Sequence, residues 1–154
     1  RFIHLRLHTE YSVADGLVRV EGAVKRARDS AMPALGLSDL SNTFGWVKFY
    51  RAARSAGIKP VFGCDVWVTH ATDRNRPSRL LLLVQHREGY RRLCELLTRA
   101  YQDNLYRGRA EIDPAWLAAS PLSASALEEE GRQWSALGME IKIKAGRGKS
   151  QAAA

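Results

Sequence analysis

Residues 33–68 read PALGLSDLSNTFGWVKFYRAARSAGIKPVFGCDVWV, and this stretch decides the fold. Ala34 to Leu37 is a short apolar run behind the Met32-Pro33 break, the pattern of a buried strand. Ser38 to Phe44 is polar and reads as a loop. Trp46, Phe49, Tyr50 and Ala53 then recur at helical spacing, with Arg51 and Arg54 on other faces, and Gly57 is placed to end the helix. Pro60 to Val68 is a second strand. Two strands joined by a helix of this length call for a right-handed crossover and a parallel pairing.

The same grammar extends outward. Upstream, Phe2, His4, Arg6 and His8 alternate with Ile3, Leu5 and Leu7, which predicts another strand. Thr9 to Gly16 is a polar turn region, and Val20, Ala23, Val24 and Ala27 define an amphipathic helix. Downstream, Thr69 to Ser78 is a charged loop and Arg79 to Val84 a fourth strand. Tyr90, Leu93, Cys94, Leu97 and Ala100 then mark a third helix. Ala110 to Leu117 still reads as ordered domain sequence. The expected class is α/β with mainly parallel strands, as an open sheet or part of a barrel. A closed barrel of eight units takes about 250 residues, more than this chain has.

After Ser120 the hydrophobic periodicity fades and Ser, Ala and Gly accumulate, between an acidic run at Glu128 to Glu130 and a basic one at Lys142 to Lys149. The expected division is therefore an ordered part, 1–117, and a divergent, disordered tail, 118–154. The opening Arg1 and this abrupt change suggest a trimmed, incomplete piece of a longer protein.

The 154 residues are 45% hydrophobic and 26% charged, enough apolar content for one core. No apolar run approaches the roughly 18 residues of a membrane span, and no secretory signal is visible. Cys64 and Cys94 make neither a disulfide framework nor a CxxC zinc motif, so a cytoplasmic location is expected. Lysine and arginine number 24 against 16 acidic residues, a net charge of +8. Most of that excess lies in the first 120 residues and suits an acidic partner such as nucleic acid.

In α/β folds the reactive side chains gather beyond the carboxyl ends of strands. Three segments fall there: His4 to Ser12 with Asp15-Gly16, Leu37 to Asn42 around Asp39, and Gly63 to Val66 around Asp65. His, Asp and Asp from neighbouring strand ends could converge on a metal.

The phrases HLRLHTEYSVADG (4–16), MPALGLSDLSNTFGWVKFY (32–50), AGIKPVFGCDVWV (56–68) and REGYRRLCELLTRAY (87–101) occur in family order. Together they resemble the PHP (polymerase and histidinol phosphatase) family, above all the amino-terminal PHP domain of bacterial DNA polymerase III alpha subunits. The resemblance covers about residues 2 to 117 and has a proteobacterial flavour. It implies a distorted βα barrel, here incomplete, whose metal-binding members hold Zn, Mn or Mg with His and Asp or Glu.

Carried onto this chain, that ligand pattern is broken. The His-x-His pair is Arg6 and His8, and a guanidinium has no lone pair for a metal. Asp15 keeps the ligand position of the first turn. Asp-His has become Asp39-Leu40, and Asp65 stands where a glutamate is usual. Arg6, His8, Asp15, Asp39, Leu40 and Asp65 are therefore expected to be vestigial metal-site positions, with no catalytic residue and no bound metal. Arg6 is expected to replace the ion by pairing with Asp39 or Asp65.

The resemblance implies a non-catalytic scaffold within a DNA-directed DNA polymerase. Its partners would be the rest of the polymerase holoenzyme and the proofreading exonuclease subunit, with primer-template DNA reached through the parent protein. The alternative is a metal-dependent PHP phosphoesterase or 3'-5' exonuclease, and a basic nucleic-acid-binding module is a third class. Plainer readings stand beside these. Asp39 and Ser41 are candidate helix caps, Asp15-Gly16 is an ordinary turn pair, and His4 is a hydrogen-bonded core or barrel-facing residue on its strand. His70 and His86 read as surface residues, and Arg51, Arg54, Arg91, Arg92 and Arg99 as solvated helix faces.

Overall fold

Three helices and two parallel strand pairings carry the architecture of this computed structural model, which describes residues 2–13 and 15–118. The expected tail lies outside the described residues apart from Ala118. All the described residues belong to the first of two units into which the chain divides, residues 1–121.

The elements run α1 (Val20–Asp29), β1 (Ala34–Leu37), α2 (Trp46–Ser55), β2 (Lys59–Val68), β3 (Ser78–Leu83), α3 (Arg87–Asp103), β4 (Leu105–Tyr106), β5 (Arg109–Ile112) and α4 (Pro114–Ala118). The spine is β1-β2-β5, paired parallel, with Ala34 opposite Lys59 and Val68 opposite Ile112. Two antiparallel strands attach to it: β3 on β2, with Asp65 opposite Leu81, and β4 on β5. The fold is thus mixed α/β, built on a parallel β1-β2-β5 spine.

Helix faces explain the packing. Val20, Val24 and Ala27 of α1 and Phe49 and Ala53 of α2 are buried with Leu35 and Leu37 of β1 in one core. Leu93, Leu96, Leu97 and Ala100 of α3 bury with Cys64, Val66, Ala110 and Ile112 in a second. Trp46 touches both, its ring 5.0 Å from Phe62 and 5.7 Å from Tyr90. Gly57 follows α2 with φ +72°, so the left-handed residue expected to stop that helix is there.

Several local expectations are corrected. Residues 2–8 run beside β1 in extended form but make no regular ladder; Gly36 N donates to His4 O at 2.7 Å and Ser38 N to Leu7 O at 2.9 Å. The approach is close enough that a Cβ at Gly36 would lie 2.7–2.9 Å from the Leu5 backbone, so only glycine fits. Part of the polar turn is a 3₁₀ turn, Glu10–Ser12, capped by Thr9. His86 is no idle surface residue: it caps α3, its ring accepting from Gly89 N at 3.1 Å. The N-cap of α2 is Gly45 without a side-chain bond, so neither Asp39 nor Ser41 caps that helix. His4 is exposed, edge-on to the Phe2 ring at 4.5 Å. The β4-β5 hairpin was not legible: its strands are two and four residues long, below the reach of periodicity.

Candidate functional site

The site grows from one buried carboxylate. Asp65 sits three residues before the carboxyl end of β2, with no solvent exposure. Its backbone is held to the β1 extension, Asp65 N donating to Asp39 O at 3.1 Å and Ser41 N to Asp65 O at 2.7 Å. Four nitrogens converge on its Oδ2: Arg6 Nε at 2.8 Å, an Arg6 terminal nitrogen at 2.5 Å, His8 Nε2 at 2.8 Å and Arg79 at 3.4 Å. Asp65 Oδ1 is buried and has no partner among the described residues.

His8 bridges to a second carboxylate. Its Nδ1 lies 3.1 Å from Asp15 Oδ2, which also accepts from Arg79 at 2.8 Å. The hydrogen bond from Arg79 is the main reason the Asp15 carboxyl stays below its ordinary 3.8; burial opposes the shift and neighbouring His8 adds to it. The loop reaches this place because Gly16 passes against the Thr9 carbonyl, where a side chain has no room. The result is a closed ring of polar side chains, Arg6-Asp65-His8-Asp15-Arg79.

Arg6 and His8 share a strand face, as their spacing required. Arg79 was missed. It comes from β3, where it stands opposite Trp67, two residues from Asp65 and on the same face. The signal was the antiparallel register of two strands the sequence did reveal.

Asp39 does not join the ring. It is fully buried, and its oxygens accept from Thr9 N at 2.6 Å, Thr9 Oγ1 at 2.8–2.9 Å and Ser12 Oγ at 2.7 Å. Ser12 Oγ in turn accepts from Leu40 N at 3.0 Å. Asp39 therefore ties the 3₁₀ turn to the end of β1 through uncharged donors, and Arg6 pairs with Asp65 alone. Leu40 contributes only a backbone bridge to Asp65. Cys64 lies behind the site, its Sγ donating to Asp39 O at 3.3 Å, and burial pushes its thiol up to about 12.

This donor set does not fit a resident metal ion. Arg6 has no lone pair, both His8 ring nitrogens face carboxylates, and both Asp39 oxygens are engaged. Among the described residues no three His, Cys, Asp or Glu side chains are grouped to hold a metal.

The βα order and the site at the strand ends define a class, and the comparisons agree: residues 4–143 match the PHP domain, and the chain belongs to that family. It is 47% identical over 119 residues to the DNA polymerase III subunit alpha of Neisseria meningitidis, covering 75% of this chain and 10% of that protein. The same subunit of Pseudomonas aeruginosa is 42% identical over 148 residues, 94% of this chain and 13% of that one. That of Escherichia coli is 40% identical over 117 residues. The chain spans about a tenth of the length of these curated relatives. Among solved structures, a Bifidobacterium adolescentis protein described as a metal-dependent phosphoesterase shares the fold at 18% identity. Its TM-score is 0.50, over 64% of this chain and 32% of that one. A Chromobacterium violaceum amidohydrolase with bound sulfate and no metal matches at TM-score 0.50 and 25% identity, over 65% of this chain and 36% of that one.

Proposed function

We propose that this chain serves as the PHP region of a DNA polymerase III alpha subunit, a non-catalytic scaffold in DNA replication. Its partners on this reading are the rest of the polymerase holoenzyme and the proofreading exonuclease subunit, which docks on it. Primer-template DNA is bound by the parent protein, where nucleotidyl transfer takes place. The observation that carries the reading is the Arg6-Asp65 pair: a fixed cation stands where metal-binding relatives need a ligand. Arg6, His8, Asp15, Asp39, Leu40 and Asp65 are on this reading the vestigial metal positions, and no metal cofactor is needed. The boundary at 117–118 belongs to the same proposal, as does a cytoplasmic location; among the described residues no helix is long and apolar enough to cross a membrane.

The competing reading is a metal-dependent phosphoesterase or 3'-5' exonuclease, favoured by the unpartnered Asp65 Oδ1. The test is hydrolysis of p-nitrophenyl phosphate and of a labelled primer 3' end with added Mn²⁺ or Zn²⁺. Background rates are expected. Hydrolysis abolished by His8→Ala would establish the enzyme reading instead. Co-purification with the exonuclease subunit tests the docking role.

A further inference from the structure

A second construction lies beyond the ring, where the β2-β3 loop meets the β4-β5 hairpin. Arg79, already on Asp15, also stacks over Trp67, its guanidinium carbon 4.7 Å from the ring centroid. Arg109 lies 5.8 Å from Trp67 on the one hand and 5.7 Å from Tyr106 on the other. Tyr106 carries Arg74 at 4.5 Å and Arg107 at 5.5 Å. Guanidinium groups and aromatic rings thus alternate in one stripe.

The stripe is held rigidly from beneath. Glu111 is fully buried and accepts from Arg109 at 3.1 and 3.3 Å, from Arg74 at 3.4 Å and from Thr69 at 3.3 Å. Asn104 joins Arg74 to Thr69 at 2.7 and 2.9 Å, and Arg109 donates to the Arg74 carbonyl at 2.9 Å. Two short chain segments are thereby locked into one platform. One carboxylate orients two arginines and neutralises only one charge.

The charge balance remains basic. Residues 69–79 and 105–111 carry five arginines against Asp73 and Glu111, and of the five only Arg79 also meets carboxylates from outside these segments, Asp15 and Asp65, among the described residues. Arg76 and Arg107 are exposed and make no ion pair among the described residues.

We propose that this stripe binds single-stranded nucleic acid. Spaced guanidinium groups suit a phosphodiester backbone, while fixed ring and guanidinium planes suit unstacked bases. An acidic peptide would use the charge and leave the alternation with rings unexplained. A duplex keeps its bases stacked on one another. The inference shares Arg79 with the ring but does not use the polymerase reading.

The experiment is fluorescence anisotropy of the full chain with fluorescein-labelled oligo-dT of about twenty nucleotides. Binding should weaken as salt rises, and Arg76→Ala/Arg107→Ala should weaken it by about tenfold and flatten the log-log salt slope by about 1.4. These two side chains hold no carboxylate, so the fold should persist, checked by circular dichroism. Arg51→Ala/Arg54→Ala on α2 removes the same charge elsewhere and should change affinity by less than about twofold. Three results would overturn the proposal: no binding at low salt, equal losses in the two variants, or polyglutamate competing as well as unlabelled oligo-dT.

Discussion

Arg6→Ala is the sharpest test of the ring. The arginine side chain is 54% exposed, whereas Asp65 is completely buried. Removing one member of a fully buried pair costs about 3–5 kcal/mol, and an exposed pair is worth less than about 1 kcal/mol. Arg6 lies between these limits. It gives two charge-assisted hydrogen bonds to Asp65 Oδ2, but His8 and Arg79 remain on that oxygen after it is gone. The expected loss is therefore about 2 kcal/mol, or roughly 8 °C in Tm for a domain of this size. Urea denaturation of wild type, Arg6→Ala, Asp65→Asn and the double variant gives the pairwise coupling directly, expected at about 1–2 kcal/mol with unchanged m-values. A coupling below about 0.3 kcal/mol, with Arg6→Ala as stable as wild type, would refute the idea that arginine stands in for an ion.

Asp39→Ala should cost at least about 3 kcal/mol, because it strands the Thr9 amide and two hydroxyls in the interior; faster hydrogen exchange at Thr9 would mark the loosened turn. Asp15 has a folded-state carboxyl value below its unfolded one, so its contribution is present above about 3.8 and fades as pH falls through the lowered value. The stability gap between wild type and Asp15→Asn should close over that acidic window; a gap independent of pH would contradict the Arg79 contact. Cys64, buried and raised to about 12, should resist iodoacetamide in the native state and react in urea. A raised thiol value means its contribution is whole below about 9 and falls away between there and about 12, so alkaline denaturation of Cys64→Ala should be shallower than that of wild type.

The sequence alone determined the order of α1 to α3 and β1 to β3 and the helix faces they bury. That information is local: Val20, Val24 and Ala27 return to one side of a helix because its period is 3.6, and Arg6 and His8 share a side because a strand's period is two. Through the family resemblance it also carried the proposal of a broken ligand pattern, since arginine and leucine cannot give a metal an electron pair whatever surrounds them. Tertiary structure alone decided between Asp39 and Asp65 as the partner of Arg6. Both are aspartates at strand ends, and only the 3₁₀ turn at Glu10–Ser12 shows that Thr9 and Ser12 claim the first and leave the second to the cations. Arg79 enters the ring, and Arg109 and Arg74 the stripe, through β3 pairing on β2 and a hairpin joining strands of two and four residues. Such pairings set Trp67 beside Arg79, 12 positions on, and Asp15 beside Arg79, 64 positions on, and no period in a linear pattern records them.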